Sequence, residues 1–213
     1  MHGVPLRLAL VISLVLAFFA SPVSATTDAG ETPSFLGKSP DGTAVRWEEC
    51  QVIPWRVDWT RAPKNIRRSD FINDARATFK KLNKATGLNF KYTRGTSTDR
   101  EIVLDFTKER LVRDKGVLAY AQVHAGGDGV GPTRIIRAVV RIDRTVKLGQ
   151  SNLNGAKSWR PLLLHELGHA VGLDHTTDKD QVMHEELQGY NSYQSGDLAA
   201  LREVGVQGVC PPP

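Results

Sequence analysis

The sequence is short of cysteine and of long apolar runs. It has two cysteines, and its one extended apolar run covers residues 8–20. That run is too short to cross a bilayer comfortably, which takes roughly 20 residues. We therefore expect no membrane-spanning helix. We expect no lipid anchor either, since no cysteine stands just after this run.

A basic stripe interleaved with aromatic residues is also missing. The chain carries 28 Lys and Arg against 23 Asp and Glu, a formal net charge of +5. This mild excess can favour anionic surfaces, but the pairs Arg67-Arg68 and Lys80-Lys81 are typical of solvated charges at helix edges. We therefore expect no nucleic-acid partner. The 40% hydrophobic and 24% charged composition indicates one ordinary globular domain.

What is present begins with an export signal. Arg7 precedes the apolar run and small residues follow it at 23–25, which is the pattern of a secretory signal peptide. Residues 26–46 are rich in Thr, Gly, Ser and Pro, and predict a flexible leader or a short pro-segment. The chain is thus divided into a signal peptide (1–25), this leader, and a folded domain (47–213) of a secreted, extracellular or periplasmic protein.

The two cysteines, Cys50 and Cys210, lie near the two ends of the predicted domain. In an exported protein a single pair most simply forms one disulfide. The chain-entropy model assigns about 5 kcal/mol to so long a loop, as an upper estimate. We therefore predict a bond that ties the start of the domain to its tail.

Five stretches rich in β-branched and aromatic residues predict a sheet. Pro54 in the first of them favours an edge or strand-start position, because proline cannot donate to the ladder. The glycine-rich residues 126–132 predict a hairpin loop. Asp128 there could contribute to a Ca²⁺ site, but we favour the loop without an ion. The predicted strands are residues 52–59, 88–92, 101–106, 117–123 and 138–143.

A long amphipathic helix is predicted between Ser69 and Gly87. Ser69 or Asp70 is available as the N-cap, and glycine is the residue type that most readily ends a helix. Apolar residues recur at helical spacing, which predicts that one face packs on the sheet. They are Phe71, Ile72, Ala75, Phe79 and Leu82.

The most informative stretch is His165-Glu166-Leu-Gly-His169-Ala-Val-Gly172-Leu-Asp-His175. Positions i and i+4 share a helix face, so His165 and His169 can converge on one Zn²⁺. On a continuing helix His175 would lie about 9 Å beyond His169. The helix must therefore end, which Gly172 allows through a left-handed conformation. The spacing predicts three ligands, one open coordination position, and Glu166 placed beside a bound water.

The helix that carries these residues is predicted to be buried. Ser158 is the expected N-cap, and Pro161 falls in the first turn, where its missing N–H does little harm. A buried helix holds metal ligands rigidly. Its apolar residues are Leu162, Leu163, Leu164, Leu167, Ala170 and Val171.

The histidine motif, followed eight residues after His175 by Met183, resembles the metzincin zinc-protease signature. The segment from His175 to Met183 is most similar to the matrixins. The resemblance spans roughly residues 47–213 and implies an α+β fold. That fold has a twisted mixed sheet of about five strands, a long backing helix, an active-site helix, and a small C-terminal subdomain with a Met-turn and closing helix.

The resemblance also implies roles for individual residues. Met183 would form the hydrophobic floor of the Met-turn beneath the zinc, and Ser195 would cap the closing helix. The strand that precedes the active-site helix would bind an extended substrate along its edge, although a plain core strand is the alternative. Two tyrosines could line the pocket for the substrate side chain beyond the scissile bond, or be ordinary loop aromatics. These substrate-binding candidates are Ala119, Tyr120, Ala121, Tyr190 and Tyr193.

Two features of many relatives, a second zinc and a cysteine latch, are not expected. Tyr120 stands about where a histidine of a second, structural zinc would be, and His124 alone cannot make that site. The surroundings of Cys50 do not resemble a propeptide latch. His184 follows Met183 but is not expected to bind metal, since three histidines suffice. We therefore expect one catalytic zinc, and find no support for calcium.

The ligand set and the resemblance together predict a secreted zinc endopeptidase. Zinc held by three neutral imidazoles activates water and polarises a carbonyl, and Glu166 is the expected general base for hydrolysis of a peptide bond. Protein or peptide substrates and a monomer are expected. Two alternatives stay open: a zinc amidase that acts on a non-protein cell-wall substrate, and an exported binding protein that keeps the metal scaffold without productive catalysis.

Overall fold

The computed structural model describes residues 33–95, 98–111, 116–148 and 156–210. The predicted signal peptide lies outside these ranges. The described residues form an α+β fold, as predicted. The strands are β1 Arg46–Trp47, β2 Val52–Asp58, β3 Asn89–Tyr92, β4 Glu101–Thr107, β5 Ala119–Gly126 and β6 Arg134–Asp143; the helices are α1 Arg68–Thr86, α2 Arg160–Ala170 and α3 Ser195–Glu203. No described helix is long and apolar enough to span a membrane.

The strands form one mixed sheet in the order β3-β2-β4-β6-β5. Neighbours pair in parallel except β5, which runs antiparallel to β6 with a register shift between His124 and Ala125. The short β1 pairs in parallel with the start of β6. Among the described strands β5 pairs only with β6, so its outer edge is open.

Pro54 is predicted at an edge strand or at the start of a strand. The edge strand is wrong, because β2 lies between β3 and β4, but Pro54 does lie near the start of β2, as its third residue. The reason is local register. Pro54 pairs with Lys91 of β3, whereas pairing with β4 begins one residue later, at Trp55 and Ile102. At Pro54 the strand therefore has one neighbour, and the missing N–H leaves no gap in the ladder to β4.

The long helix α1 begins at Arg68, before both of the predicted caps. Its N-cap is Arg67, without a side-chain cap, so the prediction that Ser69 or Asp70 caps it is wrong. Asp70 instead lies in the first turn, where a negative charge favours the helix dipole. Gly87 ends the helix as predicted, with φ of 71° and its N–H bonded to the Asn83 carbonyl at 2.8 Å.

The core joins α1 and α2 to the sheet through aromatic contacts. Trp55 of β2 stacks on Phe79 of α1 with ring centroids 4.3 Å apart. Phe71 of α1 contacts both Phe106 of β4, at 5.3 Å, and Trp159 at the start of α2, at 5.4 Å. Aromatic pairs at these separations add to the stabilisation from burial. Helix α2 is therefore seated on the same core as the sheet.

Residues 33–45 fall within the predicted leader, yet they pack against the domain. Phe35 forms an antiparallel bridge with Leu173. On either side of it, the Leu36 N–H bonds to the Gly172 carbonyl and the Asp174 N–H bonds to the Ser34 carbonyl, each at 2.9 Å. A flexible leader does not describe this part of the chain. A role as a pro-segment stays a prediction.

Cys50 and Cys210 are bonded as predicted. Their Cα atoms lie 5.2 Å apart, and the bond closes a loop between residues 160 positions apart. Cys50 has φ of 61°, in the turn between β1 and β2. The disulfide therefore joins the first strands of the sheet to the tail of the chain.

Candidate metal centre

Three histidines converge at the end of α2. The Nε2 atoms of His165 and His169 are 3.0 Å apart, and each lies 3.2 Å from Nε2 of His175. No other group of metal-ligating side chains is found among the described residues. A tetrahedral zinc with Zn–N bonds of about 2.0–2.1 Å would separate its nitrogens by about 3.3–3.4 Å, close to this triangle.

The hydrogen bonds of the rings determine which nitrogens face one another. Nδ1 of His165 lies 2.8 Å from the Val182 carbonyl, and Nδ1 of His169 lies 2.8 Å from the Leu173 carbonyl. A carbonyl can only accept, so each Nδ1 carries the proton and donates it. Nε2 of each neutral ring therefore presents a lone pair to the centre of the triangle, as metal-binding histidines do.

Burial keeps these rings neutral. It lowers the pKa of His165 to about 3 and that of His169 well below its ordinary value. His175 is less buried, and burial lowers its pKa as well. Nitrogen lone pairs facing one another at this distance repel unless a cation lies between them. The donor set, its tautomers and its spacing thus fit a zinc ion.

Glu166 lies between the first two histidines in sequence and is fully buried. Burial raises its pKa well above the ordinary value. Neither carboxylate oxygen has a hydrogen-bond partner among the described residues. A buried carboxylate without a partner is costly unless a metal, a water or a substrate satisfies it. The side chain therefore suits a role toward a group that enters the site.

The chain reverses after α2 as the spacing predicts. Gly172 has φ of 115°, and the Leu173 N–H bonds back to the Gly168 carbonyl at 3.1 Å. A Cβ on Gly172 would lie 2.4 Å from the Val45 carbonyl oxygen. The turn thus needs glycine twice, for its conformation and for the close approach of residue 45. This reversal brings His175 back to the other two histidines.

The start of α2 differs from the prediction. Its N-cap is Trp159 rather than Ser158. The buried Asp74 of α1 takes the capping role: its Oδ2 accepts the Trp159 N–H at 2.8 Å, and its Oδ1 accepts Nε of Arg160 at 2.9 Å. Asp74 comes from 85 residues earlier in the chain, so no local pattern indicated it. Pro161 lies in the first turn as predicted.

Met183 packs directly on α2. It is buried, and a Cβ built on Gly168 would lie 2.3 Å from its Sδ and 3.1 Å from its Cε. Gly168 lies one residue before His169, so the thioether contacts the helix between two of the converging histidines. The sequence offered one signal for this contact. A glycine inside a helix costs about 1 kcal/mol relative to alanine, which calls for a compensating reason.

Gly168→Ala should destabilise the protein by about 1–3 kcal/mol, because Met183 must leave its packed position. Zinc affinity should fall with it. In a Met183→Ala background the same change should instead be neutral or stabilising, because alanine is the better helix former. Urea unfolding of the four proteins checks this. Equal costs of Gly168→Ala in both backgrounds would contradict the contact.

The Asp197 carboxylate of α3 stabilises the turn at Met183 through hydrogen bonds to its backbone. Its Oδ2 accepts the Val182 N–H at 2.9 Å and the Gln194 N–H at 2.8 Å, and its Oδ1 accepts the Met183 N–H at 3.1 Å. Burial raises the pKa of Asp197, and the three backbone bonds oppose that shift. The N-cap of α3 is Gln194, one residue before the predicted Ser195, and Gln194 forms a capping box with Asp197.

The five predicted substrate-binding residues differ in how deeply they are buried. Ala119 and Ala121 are buried and Tyr120 is half-buried, all on the open-edged β5. Tyr190 is half-buried against the core. Tyr193 is buried, and its hydroxyl donates to the Leu164 carbonyl at 2.9 Å. Tyr193 can therefore contribute only a wall to a pocket. The substrate roles of these residues stay predictions.

Three further side chains lie outside the centre. His124 is exposed. His184 is buried, and its Nδ1 accepts the Glu186 N–H at 3.1 Å instead of joining the histidine triangle. Asp128 is exposed, and its Oδ1 accepts the N–H groups of Val130 and Gly131 at 3.0 and 2.8 Å. Asp128 thus stabilises the hairpin loop, and nothing indicates calcium there.

This fold and this histidine triangle define a metallopeptidase domain. The family described as Matrixin, in the M10 group of peptidases, matches residues 46–208, and the chain belongs to it. The family comprises zinc-dependent peptidases, which are hydrolases with protein substrates. A comparison with curated proteins finds no match.

Proposed function

We propose that this protein is an exported zinc endopeptidase with Glu166 as its general base. The observation that carries the proposal is the buried Glu166, without a partner, beside three Nε2 atoms 3.0–3.2 Å apart. The catalytic domain would comprise residues 47–213, after a signal peptide at 1–25 and an intervening segment at 26–46. The Cys50–Cys210 disulfide suits an oxidising location.

His165, His169 and His175 would hold one zinc ion. When bound, zinc supplies Lewis-acid polarisation of the scissile carbonyl and makes water more acidic. The Val182 and Leu173 carbonyls hold the first two rings in the tautomer that presents Nε2. The buried α2 limits ring movement, and a rigid ligand set is what a catalytic site needs.

Glu166 would move the protons of the reaction. Its carboxylate takes a proton from the attacking water as the oxygen bonds to the scissile carbonyl carbon. It then returns that proton to the amine as the C–N bond breaks. Atoms balance as one water added across one peptide bond. No described residue is hydrogen-bonded to the Glu166 carboxylate, so it is available to the water.

The substrate would lie along β5. The outer edge of this strand is open among the described residues, and an extended peptide can add to such an edge through backbone hydrogen bonds. The active-site helix α2 packs against β5, which brings the scissile bond near the histidines. Ala119, Tyr120 and Ala121 would supply the backbone contacts. Tyr190 and Tyr193 would border the pocket for a side chain beyond the scissile bond.

Metal removal tests this function. Cleavage of casein should fall below detection after treatment with a chelator and should return when one equivalent of zinc is added. Sequencing the peptide products should show hydrolysed internal peptide bonds, whereas release of cell-wall fragments without peptide cleavage would favour an amidase. Activity that survives complete zinc removal would contradict the proposal. Circular dichroism of the zinc-free protein provides the control for folding.

A further inference from the structure

Access to the metal centre is uneven. His165 and His169 are 0% and 1% exposed, whereas His175 is only half-buried. Asp174 and Thr176, on either side of His175, are half-buried as well. A substrate that reaches the histidines must therefore approach from the side of His175. Charged groups near that ligand are placed to act on the substrate.

The segment after the Met-turn runs beside His175. Thr176 forms a parallel bridge with His184, and the Thr176 N–H bonds to the Met183 carbonyl at 3.0 Å. Segments paired in this way lie about 4.8 Å apart. Glu185 follows His184 directly, so in this parallel register it lies opposite Thr177, two residues beyond His175.

The backbone around Glu185 is held by its neighbours. Nδ1 of the buried His184 accepts the Glu186 N–H at 3.1 Å. Nε2 of Gln188 donates to the Glu186 carbonyl at 2.9 Å. These bonds close the short loop on itself, and the side chain of Glu185 remains exposed. The carboxylate thus projects from a loop that is fixed at both ends.

Two carboxylates lie at the mouth of the site. Asp174 directly precedes His175 in the chain, and Glu185 directly follows His184, which bridges to Thr176. Asp174 also accepts the His175 N–H at 2.8 Å. No ion pair joins Glu185 to a cationic side chain among the described residues. The mouth therefore carries negative charge on a chain whose formal net charge is +5.

We propose that Glu185 is a specificity-determining residue that favours substrates with a lysine or arginine side chain within two residues of the scissile bond. This inference rests on the proposed peptidase function and names its substrate class. The carboxylate would pair with the cationic side chain as the peptide settles beside His175. Asp174 would strengthen the local field without moving from its bond to the backbone.

The test uses matched fluorogenic peptides. Each of the four positions within two residues of the scissile bond is varied one at a time, and carries Lys, Gln or Glu. At the responsive position, wild-type kcat/KM should be about tenfold higher for Lys than for Glu, since nearby opposite charges attract and like charges repel. Glu185→Lys should reverse the order. Glu203→Lys, an exposed residue on α3, changes the net charge equally and should keep the wild-type order.

Salt supplies a second readout. The preference for Lys should shrink as ionic strength rises from 0.05 M to about 0.5 M, because screening shortens the range of surface charges. Cleavage of all peptides with no charge preference, or a preference that Glu185→Lys leaves unchanged, would overturn the inference and leave the peptidase function standing. Absence of any zinc-dependent cleavage would overturn both.

Peptide binding to the zinc-loaded Glu166→Gln variant tests the charge preference separately from the peptidase function. This variant should bind the Lys peptide more tightly than the Glu peptide without turnover, and adding Glu185→Lys should reverse that preference. Equal binding of the Lys and Glu peptides would count against the inference, whatever the cleavage assays give. Unfolding curves for each variant establish that the comparison is between folded proteins.

Discussion

Glu166→Gln should reduce kcat by at least about a thousandfold while the protein still binds one zinc. General-base catalysis contributes about 10²–10⁴ in rate, and among the described residues Glu166 is the buried carboxylate with neither oxygen hydrogen-bonded. Glutamine has nearly the same shape but cannot accept the proton of the attacking water. The change therefore removes the chemistry and keeps the packing of α2.

We also expect Glu166→Gln to leave the stability of the protein unchanged or to increase it. Glu166 is fully buried and has no partner among the described residues, so a neutral amide should be tolerated at least as well as the carboxylate. We expect an unchanged or higher midpoint of unfolding. Glu203→Gln, on the exposed surface of α3, is the matched control and should retain full activity. Zinc is measured by metal analysis after gel filtration.

Two results would contradict this assignment. Cleavage by Glu166→Gln at a rate near that of the wild type would remove Glu166 from the general-base role. Loss of zinc together with activity would make Glu166 a support for the metal site instead. The second outcome is distinguishable because adding excess zinc would then restore part of the activity. Under the expected result, added zinc restores none.

The ligand set was predictable because it depends on local geometry. The four-residue spacing of His165 and His169 defines one helix face, and the distance to His175 requires a reversal at Gly172. Helical periodicity and turn chemistry are properties of neighbouring residues, so the sequence alone carries them. The open-edged strand β5 was located by the same kind of local pattern.

The supports of the site were not predictable, because they join residues far apart in the chain. Asp74 caps α2 from α1, and Asp197 fastens the backbone of Met183 from α3. Ser158 and Ser195 were better local candidates for the two caps. At α2 a tertiary contact takes the capping role, because the Asp74 carboxylate accepts the Trp159 N–H. At α3 the cap is local but one residue earlier than predicted, since Gln194 forms a capping box with Asp197. Local capping rules therefore do not predict the partner of α2.

The packing of residues 33–45 against the domain was not predicted, for a related reason. The composition of this segment is typical of a flexible chain, but composition says nothing about backbone pairing with a distant loop. The bonds of Ser34 and Leu36 to Asp174 and Gly172 use backbone groups, which any sequence provides. The segment therefore lies against the loop that leads to His175.

Gly172→Ala should destabilise the protein by about 3–5 kcal/mol and weaken zinc binding at least tenfold. The φ of 115° is strained for alanine by about 1–3 kcal/mol. The new Cβ would lie 2.4 Å from the Val45 carbonyl oxygen, so the backbone must also shift, which costs about 1–3 kcal/mol more. Relieving that contact moves the loop that carries His175, and the third ligand leaves its position.

Gly42→Ala is the control that separates the two causes. Gly42 has a positive φ of 84°, but nothing lies within 4 Å of a Cβ built on it. That variant should lose only about 1–2 kcal/mol from backbone strain and should bind zinc as the wild type does. Urea unfolding and competition with a fluorescent zinc chelator measure both quantities. Equal losses of stability and of zinc affinity in Gly172→Ala and Gly42→Ala would contradict a role of the turn in holding His175. The position of His175 would then have to depend on the pairing of residues 34–36 with 172–174.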